Sequence, residues 1–250
     1  SPYHPSDRRF LDPIYVDVER VPDLADAQDA RALLARSGPG IAGLSARAHV
    51  DYAGVWELKR AVLDLCFAQF ERRSGADPLV AEFDRFVAAG GLSLRQFAIF
   101  DAIAAAHPRE PWQRWPDDLR RPDAARVADF AGRHARRVRF ALYLQWLAER
   151  QLAAAAAHAR ASGLALGFFR DLALGAAPDG AEPWANPGTY AQGASIGAPP
   201  DAFSPTGQVW NLPPPIPETM AASACAAVRE LFVANMRHAG ALRIDNVMGL

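Results

Sequence analysis

Close to its C-terminus the sequence reads GALRID, with Arg243 and Asp245 two residues apart. On a strand, residues at that spacing leave the same face, so the guanidinium can hold the carboxylate ionised and aligned through charge-assisted hydrogen bonds. An oriented, ionised carboxylate is what covalent nucleophilic catalysis needs. A structural ion pair uses the same two residues and is the commoner meaning of R-x-D alone. Asp171, in FFRDLALG, stands at the end of another apolar run, with Glu182 and Trp184 just beyond in GAEPWANP. It reads either as a support for the site or as a plain capping or turn residue. In IGAPPDAFSPTGQVWNLPPP, Phe203 and Trp210 flank Gln208 and Asn211 on a chain path stiffened by prolines. That combination suits stacking on flat sugar faces and hydrogen bonding to their hydroxyls. A polyproline II segment near Leu212 to Pro217 is the alternative, and it leaves Gln208, Trp210 and the upstream Asp201 without a purpose.

The elements that must carry these residues alternate in type. The opening SPYHPSDRRFLDP is a loop, and the β-branched alternation of IYVDV predicts a short strand. From Pro22 to about Arg160 the apolar spacing is helical, as at Trp56, Leu63, Phe67 and Phe70, with breaks near Gly38, Gly75, Gly90 and Pro108. The longest predicted helix runs from about Asp123 to Arg160 along a stripe of Val127, Phe130, Val138, Leu142 and Leu152. LALGFFRDLALG then predicts a strand buried on both faces. A Gly- and Pro-rich loop from Ala177 to Pro217 follows, then a helix over Glu218 to Arg237, and a strand ending at Asp245 with Gly240 past the helix end. Strand, loop, helix, strand is a βα-repeat signature, so the expected class is α/β with a helical insertion.

Composition excludes several functions. With 27 Lys plus Arg against 28 Asp plus Glu, the chain lacks the basic surplus that nucleic acid or an anionic membrane demands, and no such partner is expected. The cluster Arg133, Arg136, Arg137 and Arg139 reads as a solvated helix face. The Ala-rich stretch Leu152 to Ala157 is short and bounded by arginines, and no apolar run is expected to reach a bilayer span. Cys66 and Cys225 lack metal-ligand spacing and read as two reduced, buried thiols, which fits a cytoplasmic protein. Six histidines without H-x-x-x-H or H-x-H spacing argue against a metal site. GxGxxG, P-loop and G-x-S-x-G motifs are absent from the sequence.

In order, SPYHPSDRRFLDP, GLALGFFRDLALG, GAEPWANP, IGAPPDAFSPTGQVWNLPPP and GALRID resemble the amylomaltases, the 4-α-glucanotransferases of glycoside hydrolase family 77. The resemblance covers both ends of the chain and most of its last hundred residues; the helical block carries no matching motif. It implies part of a (β/α)8 TIM barrel with a large helical insertion, divided as barrel segment 1–21, insertion 22–160 and barrel segment 161–250. The implied activity is transfer of α-1,4-glucan segments between maltooligosaccharides, without a cofactor. Asp245 matches the nucleophile and Arg243 the residue that holds it. Tyr3 resembles a donor-sugar contact, Gln208 and Trp210 match a loop that folds over glucan, and Asp171, Asp201 and Phe203 join them as substrate-binding candidates.

A retaining mechanism needs a second carboxyl roughly 5–5.5 Å from the nucleophile. The resemblance assigns that acid/base and a further stabilising carboxylate to later barrel strands outside these 250 residues. The expectation is therefore a fragment, inactive alone, with open barrel edges. Where the family usually has histidine after the nucleophile, this sequence has Asn246, which can hydrogen-bond substrate but cannot titrate. An α-glucan hydrolase and a non-catalytic glucan-binding protein are the alternatives.

Overall fold

The computed structural model describes residues 4–245. Tyr3 and Asn246 lie outside the described residues. The predicted strand at IYVDV is absent: its place is taken by the 3₁₀ turns Pro13–Tyr15, Val18–Arg20 and Pro22–Ala25. Asp12 and Asp17 explain this locally, because their carboxylates accept the N–H groups of Ile14 and Glu19 at 3.0 and 3.1 Å and close turns before a strand can extend. The alternating Val16 and Val18 are buried all the same, under helices instead of in a sheet.

The helical block contains α1 (Gln28–Arg36), α2 (Gly38–Ser45), α3 (Tyr52–Phe70), α4 (Pro78–Ala106), α5 (Ala125–Arg133) and α6 (Ala135–Ala161). The long helix predicted over Asp123 to Arg160 is thus two helices, parted at His134. The breaks near Gly38, Gly75 and Pro108 coincide with helix ends. That near Gly90 is a kink within α4, where Gly91 takes φ +55°. By length and composition α4 is apolar enough to cross a membrane, contrary to the sequence expectation. Here it is kinked at Gly91 and buries Phe83, Leu94, Ala98 and Ile103 among the other helices.

The core of the block is aromatic. Phe67 and Phe70 of α3, Phe83 of α4, and Tyr143 and Trp146 of α6 form a contact chain with ring centroids 5.1–5.9 Å apart. A polar tie enters it at Tyr143. The Tyr143 hydroxyl donates to the fully buried Asp23 at 2.6 Å, and Arg73 Nε donates to the other Asp23 oxygen at 2.6 Å.

Beyond α6, β1 (Phe168–Leu172) pairs in parallel with β4 (Ala239–Ile244). Burial on both faces does not hold for β1, since Phe169 is exposed. Gly240 sits inside β4 instead of past a helix end; a Cβ there would lie 1.7 Å from the Leu166 carbonyl oxygen, a spacing only glycine tolerates. The predicted loop after Ala177 is partly ordered, with α7 (Ala181–Ala185) and the antiparallel pair β2 (Ile196–Ala198) and β3 (Gln208–Leu212). The following helix is divided into α8 (Pro217–Ala222) and α9 (Ala226–Met236) by left-handed backbone at Ala224 and Cys225. Both cysteines are free, but Cys225 is exposed and only Cys66 is buried, its thiol pushed up to about 12 by desolvation.

Replacing Tyr143 by Phe keeps the ring packing and removes one bond to the Asp23 carboxylate. We expect a loss of about 2 kcal/mol in urea unfolding, the scale of a hydrogen bond to a charged group.

Candidate functional site

The parallel register of β1 and β4 sets Asp171 beside Arg243. Arg243 lies two residues before Asp245, and its guanidinium joins both carboxylates. Nη1 donates to Asp171 Oδ2 at 2.6 Å and Nη2 to Asp245 Oδ1 at 2.9 Å. All three side chains are at least half exposed. The bond to Asp171, then the charges of Asp171 and Asp245, push the Arg243 guanidinium above its ordinary value and keep it a cation. The cluster stands at the C-terminal ends of parallel strands, where βα units present chemistry.

The turn between β2 and β3 holds the other candidates. Asp201 Oδ1 accepts the N–H groups of Phe203 and Ser204 at 2.8 and 2.7 Å, and Ser204 Oγ donates to the Gly207 carbonyl at 2.9 Å. One Asp201 oxygen is therefore committed to the turn itself. Phe203 is 99% exposed at the tip. Gln208 and Trp210 alternate along β3 and share a face, with Trp210 Nε1 donating to Gln208 Oε1 at 3.0 Å. Asn211 follows with φ +55°, which bends the chain out of regular strand geometry. Among the described residues no hydrogen bond or ion pair joins this turn to Asp171, Arg243 or Asp245. The structure gathers the candidates into two groups.

A buried network ties the N-terminal segment to the residues after β1, and the sequence reading reaches it only at Glu182. Arg8 and Glu182, 8% and 5% exposed, pair at 2.6 Å. Glu182 also accepts the Arg8 backbone N–H at 2.9 Å and the Tyr190 hydroxyl. Arg8 further donates to the Leu174 carbonyl and Tyr190 hydroxyl, each at 3.0 Å. Burial alone would raise the Glu182 pKa, but the charge and hydrogen bonds of Arg8 outweigh it and hold the carboxyl below its ordinary value. Next to it, Asp7 pairs with Arg9 at 2.7 Å, yet burial wins there and raises the carboxyl. The signal was present as acid and base in two separated motifs, SDRRF and GAEPW, but nothing local pairs residues 174 positions apart.

The architecture matches that of solved amylomaltases. The chain superimposes over its whole length on an amylomaltase from Corynebacterium glutamicum, with TM-score 0.80 and 32% identity, covering 33% of that chain. An amylomaltase from Streptococcus agalactiae in complex with acarbose shares the fold, with TM-score 0.81 at 20% identity and 49% of that chain covered. A family model described as 4-alpha-glucanotransferase matches residues 1–250, and the chain belongs to that family, glycoside hydrolase family 77. A 4-alpha-glucanotransferase of Mycobacterium tuberculosis is 39% identical over 251 residues, which cover all of this chain and 34% of the relative. One from Haemophilus influenzae is 33% identical over 262 residues, covering 38% of its length. The chain thus spans about a third of the length of these curated relatives.

Replacing Glu182 by Gln leaves the buried Arg8 without its counter-charge and should cost about 3 kcal/mol at pH 7. Because the folded-state pKa is depressed, the contribution is present above the ordinary carboxylate value of about 4.3 and fades as pH falls through the lower folded value. Urea melts at stepwise lower pH should show the gap between the two proteins narrowing only there.

Proposed function

We propose that this chain is part of a (β/α)8-barrel 4-α-glucanotransferase, with segments 1–21 and 161–250 in the barrel and 22–160 as a helical insertion. The observation that carries the reading is the Arg243 guanidinium bridging Asp171 and Asp245 at the ends of parallel strands. In this reading Asp245 attacks the anomeric carbon of a maltooligosaccharide, displaces the leaving 4-hydroxyl oxygen and forms a covalent glycosyl-enzyme. Arg243 keeps that carboxylate ionised and aimed, and Asp171 fixes Arg243 from the far side. The 4-hydroxyl of a second glucan then takes the glycosyl group and releases Asp245. A second carboxyl protonates the leaving oxygen and later deprotonates the acceptor; we assign it to barrel strands outside this sequence.

The exposed ring of Phe203 and the paired Gln208 and Trp210 supply the stacking and hydrogen-bonding surface for glucan. Tyr3 and Asn246 belong to the same proposed set of substrate contacts, and Asp201 serves it by shaping the turn. Transfer prevails over hydrolysis when the acceptor and this turn exclude water from the intermediate. The reading requires no cofactor or metal, and the expected setting is the cytoplasm.

The test uses the complete enzyme with pure maltotriose, analysed by chromatography beside its Asp245→Asn variant. A ladder of longer glucans plus glucose, lost in the variant, is the expected result. Glucose and maltose alone would indicate a hydrolase, and unchanged substrate a binding protein. Trp210→Ala should weaken acceptor use more than glycosyl-enzyme formation, because aromatic stacking adds about 1 kcal/mol beyond area burial. Burst kinetics separate the two steps, and equal losses in both would count against the assignment.

A further inference from the structure

Away from the Arg243 cluster, a cleft of about 970 Å³ opens between α3, the first turn of α6 and the turn after α4. Four arginines line it: Arg60 from α3, Arg109 from the turn, and Arg136 and Arg137 from α6. The carboxylates on its walls are Glu57 and Asp64. Asp64 is engaged by Arg136 at 3.0 Å, and Arg136 also reaches Glu71 at 2.9 Å. Among the described residues Arg60, Arg109 and Arg137 form no side-chain hydrogen bond and no ion pair. Asp101 feels the charge of Arg60 without pairing with it.

This placement runs against local electrostatics and backbone preference. Arg136 and Arg137 stand in the first turn of a 27-residue helix, at the positive end of its dipole; that turn carries no acidic residue of its own, and His134 gives no side-chain cap. Arg109 takes φ +65°, a left-handed conformation unfavourable for an L side chain. Trp56, half-buried on α3, adds a flat apolar wall beside the cations.

We propose that this cleft binds a small phosphate monoester carried on a sugar-sized ring. A phosphate monoester brings about two negative charges and three acceptor oxygens, which match the unpaired guanidinium forks. The ring then lies against Trp56. The cavity is within the range of roughly 300–1,000 Å³ typical of small-ligand sites. A polynucleotide would need a continuous basic track, and the chain as a whole carries a net charge of -1.

Calorimetry and thermal melting with glucose 6-phosphate, inorganic phosphate, glucose and a single-stranded oligonucleotide test this. Glucose 6-phosphate should bind and raise Tm, inorganic phosphate should bind more weakly, and glucose should not bind at this cleft. The double variant R60Q/R137Q should lose affinity about tenfold or more, and the control R85Q should not. Both substituted arginines are exposed, so an unchanged ligand-free Tm verifies the variant's fold. Rising salt should weaken binding to the unaltered protein, which gives a readout independent of any variant. The proposal is overturned by no phosphate-dependent Tm shift at about 10 mM ligand. Equal binding by R60Q/R137Q, inorganic phosphate binding as tightly as the ester, or preferential binding of the oligonucleotide would each overturn it too.

Discussion

The arrangement of the chain hinges on one buried ion pair. Arg8 and Glu182 lie 174 residues apart, and taking both charges out of water costs several kcal/mol per ion unless each is met by close partners. Here they are met. Glu182 receives the backbone and guanidinium of Arg8 and the hydroxyl of Tyr190, while Arg8 reaches on to the Leu174 carbonyl. Asn235 of α9 donates to the Arg8 carbonyl at 3.0 Å. The segment after β1, the base of the β2–β3 hairpin and α9 therefore converge on one short N-terminal stretch. A displacement of that stretch would leave a charge buried and alone, so its position relative to the strand ends is tightly set.

The helical block is fastened to the same N-terminal segment by side chains reading its backbone. Gln145 exchanges hydrogen bonds with both the N–H and the carbonyl of Leu11, at 3.1 and 2.7 Å. Lys59 donates to the carbonyls of Ile14 and Val16, and Gln151 bonds the N–H and carbonyl of Asp17. These groups stand where a neighbouring strand would otherwise satisfy an extended chain. That is how a β-branched run such as IYVDV is accommodated as turns without leaving its polar backbone unpaired.

The Arg243 cluster works on another principle. Its three charges are half exposed, so their mutual attraction is screened and adds little to stability. Its value is geometric, because a guanidinium forked between two carboxylates fixes the direction of both. The strand register provides half of that fork, since Asp171 and Arg243 are neighbours across the pair; Asp245 follows one residue past the end of β4, within reach of the same guanidinium. The β2–β3 turn has a comparable economy, with Asp201 and Ser204 using short local bonds to hold Phe203 out in solvent.

Much of this was open to a reader of the sequence. R-x-D on a strand already implied that Arg243 and Asp245 share a face, and the heptad-like stripes of Leu63, Phe67 and Phe70 already implied a helical core. The loop motif and its neighbours pointed to the family. These features are local, set by the periodicity of a strand or helix or by a turn of a few residues. Tertiary structure alone decided that Asp171 would share Arg243 and that Arg8 would bury itself on Glu182. It also decided that Cys225 would face solvent and which side chains would satisfy the backbone of IYVDV, whose turns the nearby Asp12 and Asp17 carboxylates close. Each depends on partners far away in the chain, whose desolvation and hydrogen-bonding energies outweigh local preference and leave no periodic trace in the sequence.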